Sequence, residues 1–387
     1  MRHEKITRKL ISFLNRDDNL KRLVEKSLDI ARSINPDKKT NPAQSLEELY
    51  DFIDWSVKCM PWDVLREKNY DTLFNAMDQA TGYFWYIFDQ PLDELRDRGF
   101  YYPSLQYLEP IASWIKDYST VWGKYLSKRK SWNEKFYKLA LKEEAFGLQK
   151  GWYGSKNIWH SYNDFFCRKL INPTQRPISE VDVIAPADSL PMGFYKIDKN
   201  NKLINNVNIK SANLNDVGDL IGKNSKYYEA FSGGTLTHTF LNMNDYHRYH
   251  FPIDGKIVEM RKIKGANAGG GITEWDKVQK KYVYYNETGF QMIETRHCVI
   301  LQTEKFGLVA VLPIGMSQVC SVNFENYLKE GTVVKKGDPM GFFQFGGSDI
   351  VMIFQKHVKV KDLTLKDNKG NPKHLLMGEP YASLSIK

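Results

Sequence analysis

The chain has 387 residues, of which 42% are hydrophobic, 13% aromatic and 26% charged, and its formal net charge is +9. This length and composition exclude a disordered protein and allow two domains with a sizeable core. No run of about 18 apolar residues occurs, so the sequence predicts no membrane-spanning helix. The positive charge suits an anionic surface but is equally typical of a basic globular protein. Its short basic clusters belong to no nucleic-acid-binding motif, so no nucleic-acid partner is predicted.

Helical patterns dominate the first 150 residues. Ile6, Leu10 and Leu14 recur at helical spacing, which predicts a helix packed on a core rather than a membrane-surface helix or a signal peptide. Residues 45–48 (Ser-Leu-Glu-Glu) form a capping box that opens a second helix. The aromatic run at 84–88 is predicted to fill a core. These patterns predict a helical N-terminal domain over residues 1–150.

Short β-rich runs separated by turn residues take over after residue 180. They include residues 281–285, 297–304, 308–316 and 348–355. Strands and helices do not alternate as in a doubly wound sheet, so an antiparallel assembly is expected. The predicted fold class is therefore α+β, with a helical domain followed by an antiparallel β-rich domain over residues 151–387.

The string Gly346-Gly347-Ser348 lies immediately before one of these apolar runs. Glycines leave the Gly347 carbonyl open to attack, because they carry no Cβ atom. A serine hydroxyl held there can attack that carbonyl and shift the acyl group from nitrogen to oxygen. Elimination from the ester would cut the chain and leave residue 348 as a pyruvoyl group, an electrophile made from the protein itself.

Groups that could activate this hydroxyl occur upstream. His247 and His250 lie close together in one string, and Asp188 lies in another. A serine, a histidine and an aspartate from separate segments are what hydroxyl activation requires, with the aspartate fixing the tautomer of the histidine. A metal site at the two histidines and Asp245 lacks a further ligand, so no metal is predicted. The four cysteines form no CxxC pair, which favours a reducing cytoplasm.

These strings together resemble the phosphatidylserine decarboxylase family, and residues 161–178, 207–222 and 333–348 extend the resemblance from near residue 150 to the C-terminus. It implies self-cleavage between Gly347 and Ser348 and a covalent pyruvoyl cofactor derived from Ser348. It also implies that His250 and Asp188 serve cleavage while His247 serves decarboxylation. Ser189 departs from the family pattern, which usually has glycine after the aspartate.

The substrate is open between two classes. The catalytic half implies phosphatidylserine, whereas residues 60–91 resemble the helical domain of soluble tryptophan-decarboxylating relatives and imply a free L-amino acid. A third alternative is a non-catalytic binding module with the same fold. The resemblance further implies a homo-oligomer. The composition indicates a cytoplasmic protein, and peripheral contact with a membrane is one interpretation of its positive charge.

Overall fold

The structure, a computed structural model, describes residues 2–63, 72–204, 216–269, 272–285, 290–316 and 321–387. The α-helices within them are α1 (Lys5–Leu14), α2 (Asp18–Ile34), α3 (Leu46–Ser56), α4 (Leu73–Phe88), α5 (Ile111–Leu126), α6 (Glu134–Lys142), α7 (Tyr162–Phe166) and α8 (Val217–Ile221). The strands are β1 (Val183–Ile184), β2 (Leu190–Ile197), β3 (Leu203–Ile204), β4 (Thr235–Leu241), β5 (Arg248–His250), β6 (Gly255–Ile263), β7 (Ile272–Asp276), β8 (Lys281–Tyr285), β9 (Arg296–Gln302), β10 (Leu308–Met316), β11 (Val322–Phe324), β12 (Val333–Val334), β13 (Pro339–Phe343), β14 (Gly347–Phe354), β15 (Val358–Asp362) and β16 (Pro380–Ile386).

The N-terminal helices form where the sequence predicts them. Helix α1 buries Ile6, Leu10 and Leu14, so it packs on the core as expected. The side chain of Ser45 caps α3 by accepting a hydrogen bond from the Glu48 amide at 3.3 Å, which confirms the Ser45 cap, and the Glu48 carboxylate accepts from the Gln44 amide at 2.8 Å. The aromatic run at 84–88 is buried along α4. None of the helices in the described ranges is long and apolar enough to cross a membrane.

The core of the helices continues into the β-rich half. One hydrophobic cluster runs from α1 to α7 and also contains Tyr246, Tyr282 and Phe345. Phe345 packs edge-on against Trp122 of α5, with ring centroids 5.3 Å apart. The two halves are therefore joined by buried aromatic contacts, and the boundary at residue 150 stays a prediction.

An eight-stranded antiparallel sheet forms the centre of the second half, in the order β12-β6-β9-β10-β14-β4-β2-β3. Side chains alternate between its two faces, as the period of a strand requires. One face, which includes Val311 and Met352, packs on residues of the smaller sheets such as Tyr249. The other face, which includes Val351, packs on α8 around Leu220. The antiparallel pairing confirms the predicted fold class.

Two three-stranded sheets, in the orders β1-β16-β15 and β11-β13-β5, pack on the face of the large sheet that carries Val311 and Met352. The strand that begins at the predicted cleavage site, β14, lies inside the large sheet between β10 and β4. Ser348 is paired with Gly315 on one side and with Leu241 on the other. Its backbone is therefore held by neighbours on both edges.

A β7–β8 hairpin extends from the β-rich half onto helix α4. The Gln79 side chain donates to the Tyr282 carbonyl at 3.0 Å and accepts from its amide at 2.7 Å. Gly82 allows this approach, because a Cβ atom there would lie 2.6 Å from the Tyr282 Cβ. Asp89 accepts from the amide of Thr273 at 2.9 Å. The hairpin thus depends on specific residues of α4 and of the turn after it.

Candidate active site

Ser348 is the second residue of β14 and is completely buried. The chain enters this strand through Gly346, whose φ of 137° lies in a region that side chains disfavour. Among the described residues, the Ser348 Oγ has no hydrogen-bond partner. A buried hydroxyl usually has a hydrogen-bond partner, so an unpaired one indicates a role other than stabilising the fold.

The side chain of Ser348 faces the sandwich between the large sheet and the smaller sheets. Ile350 and Met352, which follow at the strand period, belong to the core on that face. The same core contains Tyr249 of β5, the strand that carries or adjoins both candidate histidines. The serine and the histidine strand therefore contribute to the same layer of the molecule.

His247 is a neutral base with one free nitrogen. Its Nδ1 lies 3.0 Å from the Asp245 carbonyl, and because a carbonyl only accepts, this nitrogen carries the proton. Burial, with a further contribution from the charge of Arg168, lowers the pKa of His247 to about 3. Its buried Nε2 has no partner among the described residues. An imidazole in this state can accept a proton from a substrate or from Ser348.

Phe166 connects His247 to the segment that precedes the cleavage site. The His247 ring stacks on Phe166 at a centroid distance of 3.8 Å. Phe166 also packs on Phe345, with centroids 5.4 Å apart. The amide of Phe345 donates to the Asn163 side chain at 3.0 Å. Helix α7 thus anchors the segment entering Gly346 and the face of His247 together.

His250 has the same tautomer, but its second nitrogen is engaged. Nδ1 donates to the Gly337 carbonyl at 2.8 Å, and Nε2 lies 3.2 Å from the Tyr246 hydroxyl. Burial lowers the pKa of His250, and the negative charge of Asp188 partly offsets that effect. His250 lines an apolar cavity of about 420 Å³ together with Arg176 and Tyr246.

Asp188 pairs with an arginine rather than with a histidine. Its carboxylate accepts from Arg176 Nη2 at 2.8 Å and from Nε at 3.3 Å, and it also accepts from the Met377 amide at 2.8 Å. Both side chains of this ion pair are buried. A guanidinium is the stronger partner because it offers two parallel N–H donors and stays charged. The expectation that Asp188 fixes the histidine tautomer by contact is therefore not met, since the Gly337 carbonyl does so.

Strand pairing orders the two histidines relative to the cleavage site. The amide of Phe343 donates to the His247 carbonyl at 2.9 Å, whereas His250 is paired with Pro339. Because β13 runs from Pro339 toward Ser348, His247 lies at the end of β5 nearer the serine. The two histidines are three residues apart on an extended segment, a span of about 10 Å. No hydrogen bond joins either imidazole to Ser348 within the described ranges.

Several buried polar residues near the site are absent from the sequence prediction. Arg176 and Tyr246 contact Asp188 and His250, and they occur inside the strings that carry the family resemblance. His238 Nε2 lies 2.6 Å from Asp349, the residue after the serine. The strings around Arg176 and Tyr246 are a usable signal for these two residues, whereas His238 and Asp349 are far apart in the chain and no local pattern joins them.

The side-chain carboxylate of Asp245 contacts His374 at 2.9 Å, and only its backbone carbonyl contacts a candidate histidine, His247. Within the described ranges, no group of three His, Cys, Asp or Glu residues could hold a metal ion.

Comparison with known proteins adds a family to this geometry. Residues 162–383 match the model of the phosphatidylserine decarboxylase family. A phosphatidylserine decarboxylase proenzyme of Clostridium novyi is 30% identical over 320 residues, which cover 81% of this chain and 96% of the relative. Proenzymes of the same name from Fusobacterium nucleatum and Ruminiclostridium cellulolyticum are 29% and 32% identical, over 58% and 57% of this chain and 70% and 68% of their own lengths.

The match to the Clostridium novyi relative is longer than the stretch from residue 151 to the C-terminus, so it extends into the helical half. The family model covers more than half of the chain and includes Asp188, both histidines and Ser348. The chain belongs to the phosphatidylserine decarboxylase family.

Proposed function

We propose that this chain is a self-processing decarboxylase that converts phosphatidylserine to phosphatidylethanolamine with a pyruvoyl group made from Ser348. The observation that carries the proposal is the family match, which spans Ser348 and all three residues expected to assist it. The relatives are named proenzymes, which supports processing before activity.

The surroundings of Ser348 fit its conversion to a carbonyl group. The Oγ is buried and has no partner among the described residues, so no hydrogen bond has to be broken before it reacts. Gly346 and Gly347 place no side chain beside the carbonyl that it would attack. A buried, unpaired nucleophile next to an unhindered carbonyl supports attack within the chain.

Self-cleavage by this serine needs only water besides the chain itself. The Ser348 Oγ attacks the Gly347 carbonyl carbon and gives its proton to a histidine, and the peptide C–N bond breaks as its nitrogen takes up a proton. An ester now joins the two residues. Loss of the α-proton of residue 348 expels the Gly347 carboxylate from Cβ. Water then replaces the amino nitrogen, which leaves as ammonia, and a ketone remains at residue 348.

We assign the base in cleavage to His250, supported by Asp188, and proton transfer in decarboxylation to His247. Burial lowers the pKa of both imidazoles, so both are neutral near pH 7 and able to accept a proton. The Asp188 charge favours the protonated form of His250. The free Nε2 of His247 can accept a proton released by the substrate and then return it to the carbon that loses carbon dioxide.

When present, the pyruvoyl carbonyl supplies the electron sink for the bond to the departing carboxyl group. The contribution of the chain is to surround this position with apolar groups. Phe166 stacks on the His247 ring and itself packs against Phe345, and the histidine is completely buried. An imidazole in such a site exchanges protons with the substrate rather than with solvent.

We also infer a cytoplasmic protein that reaches its lipid at the membrane surface and forms a homo-oligomer. The net charge of +9 supports attraction to anionic lipid. Binding to phosphatidylserine vesicles should therefore weaken as salt screens the charges. A vesicle sedimentation assay across a salt series tests the surface contact, and light scattering tests the oligomer.

A free L-amino acid such as tryptophan is the competing substrate. The helical half does not single it out, because a relative named phosphatidylserine decarboxylase matches into that half. Intact-mass analysis should show two chains, residues 1–347 and 348–387. Carboxyl-labelled phosphatidylserine in mixed micelles should release carbon dioxide, whereas labelled tryptophan should not. Turnover of tryptophan alone would refute the lipid assignment.

The cofactor has a test of its own. Borohydride with substrate should label the peptide that begins at residue 348, and hydroxylamine should abolish activity without any added cofactor. A label on a lysine, or dependence on pyridoxal phosphate, would contradict the proposal.

A further inference from the structure

A second cavity, of about 630 Å³, opens between the large sheet and the β11–β13 pair. We call it the His297 pocket; its polar lining includes Lys169, Arg248, Lys262, His297, Asn323 and Gln344. Neither His247, His250 nor Asp188 lines it. Nothing in the self-cleavage chemistry uses its residues, so their presence needs another explanation.

His297 is the strongest sign that the pocket takes a ligand. The side chain is 5% exposed, and its ring lies against Phe324 with centroids 4.2 Å apart. Neither ring nitrogen has a partner among the described residues. Burial, aided by the charge of Lys262, lowers the pKa of His297 to about 4, so the ring is neutral at pH 7 and offers one N–H donor. Leaving such a group unpaired is costly, unless a ligand completes it.

The charges around the pocket favour an anion. Glu325 and Arg248 neutralise each other in an ion pair at 2.7 Å, which leaves Lys169 and Lys262 against the single carboxylate of Asp164, itself bonded to the His160 amide at 2.9 Å. Lys262 stands directly opposite His297 on the neighbouring strand. Within the described ranges, no carboxylate forms an ion pair with Lys262 or with Lys169, which also lines the pocket. A cation and a neutral donor side by side suit a phosphate oxygen.

The pocket lies beside the predicted cleavage site. Val299 follows His297 at the strand period and belongs to the same core as Met352, which follows Ser348 at that period. His297 and Ser348 therefore project from the same face of the large sheet. Their strands are separated only by β10, a lateral distance of about 10 Å. Gln344, on the other wall, precedes the serine by four residues.

We propose that the His297 pocket binds the phosphate of a phosphodiester head group, with Lys262 as the cation and the His297 N–H as a hydrogen-bond donor. The amide oxygen of Gln344 accepts from Ser321 at 3.2 Å, which leaves its NH₂ group as a further donor. This inference rests on the proposed function and deepens it, because it makes the phosphate, and not the amino acid alone, part of what the enzyme recognises.

The binding test uses the full-length Ser348→Ala chain and isothermal titration calorimetry. The probes are glycerophosphoserine, which has the head group without acyl chains, inorganic phosphate and free serine. We expect glycerophosphoserine to bind, Lys262→Gln to weaken it about tenfold, as the loss of one charge-assisted hydrogen bond requires, and Lys264→Gln to leave it unchanged. Lys264 is the matched control, since it is an exposed lysine two residues away that does not line the pocket. Equal losses in the two variants would overturn the proposal.

The kinetic test uses the processed enzyme and phosphatidylserine in micelles. Lys262→Gln should raise KM about tenfold with little change in kcat, and cleavage into two chains should stay complete. His297→Leu should weaken binding as well, yet unfold at or above the wild-type temperature, because the imidazole serves the ligand and not the fold. A destabilised His297→Leu chain with unchanged affinity would refute the ligand role.

Two outcomes separate this inference from the proposed function. Glycerophosphoserine binding that depends on Lys262, in a protein that releases no carbon dioxide from phosphatidylserine, would support the pocket and refute the decarboxylase. Binding of inorganic phosphate combined with lipid turnover that is insensitive to Lys262→Gln would make the pocket a free-anion site and overturn the inference alone.

Discussion

The helical half and the β-rich half bury different kinds of side chain. The helical core is aromatic, and some of its rings place their polar end on a neighbour, as when Trp114 donates to the Ile6 carbonyl at 3.0 Å and Tyr118 to Ser56 at 2.8 Å. The β-rich half instead buries Asp188 with Arg176, and both candidate histidines. The desolvation cost of burying a charged pair offsets most of the energy that the pair gains by attraction, so such a pair contributes little to stability. The reactive groups are therefore concentrated in the β-rich half, and the helical half serves mainly to support it.

The unpaired serine gives the largest effect. Ser348→Ala should remain a single chain of full length with no decarboxylase activity, because no other hydroxyl replaces the attacking atom. Its unfolding temperature should stay near the wild-type value, since the lost Oγ has no partner among the described residues. Mass spectrometry and calorimetry measure both, with Ser321→Ala as the control that should still cut. Cleavage in the Ser348 variant would refute the assignment of Ser348 as the attacking residue.

The two histidines separate cleavage from turnover. His250→Ala should slow cleavage by a factor of about 100 or more, the usual contribution of a positioned base, whereas His247→Ala should cut and then turn over poorly. Gel analysis over time measures the first effect and carbon dioxide release the second. His247 lies nearer the serine along the strand pairing. An uncut His247→Ala chain beside a normally cut His250→Ala chain would reverse the two roles.

Asp188 tests the cost of a buried charge in the β-rich half. Asp188→Asn leaves the Arg176 guanidinium buried without its counter-charge, so unfolding free energy should fall by about 3–5 kcal/mol. Cleavage should slow as well, because the charge that favours protonated His250 is lost. Urea unfolding measures the stability. The double variant Asp188→Leu, Arg176→Leu separates the two effects, because it should regain stability without regaining cleavage. Fast cleavage in that double variant would exclude Asp188 from the reaction.

The hairpin contact on α4 tests the junction of the halves. Alanine normally stabilises a helix relative to glycine by about 1 kcal/mol. At Gly82 the new Cβ would lie 2.6 Å from the Tyr282 Cβ, so Gly82→Ala should instead destabilise the protein by about 1–3 kcal/mol. Thermal unfolding measures the sign. A stabilised variant would show that the hairpin does not pack on this helix.

Asp89 is the exception to the comparison, since it is a buried carboxyl group in the helical half, at the C-terminal end of helix α4. Burial raises its pKa from 3.8 to about 8, against the hydrogen bond from Thr273. A raised pKa means that its contribution to stability is complete below pH 3.8 and is lost as the pH rises to about 8. The wild-type unfolding temperature should therefore fall between pH 6 and pH 9 more than that of Asp89→Asn. Parallel curves would contradict this assignment.

Local pattern determined much of this molecule. The Ser45 cap, the helical spacing of Ile6, Leu10 and Leu14, and the β-rich run at 308–316 predict elements that the structure has, because caps and periodicity act over a few residues. The order of the motifs also identifies the family and directs attention to Ser348. These features can be predicted from the sequence because residues close together along the chain produce them.

The contact partners of the candidate site residues are set by the tertiary structure. Asp188 pairs with Arg176, and a carbonyl and not a carboxylate sets the His250 tautomer. The meeting of Lys262 with His297 depends on strand register, which local pattern does not specify at the polar end of a strand. Such contacts join residues that are far apart in the chain, and competition between possible partners selects them. The sequence identifies the side chains that can react, but the packing determines which imidazole nitrogen has no hydrogen-bond partner.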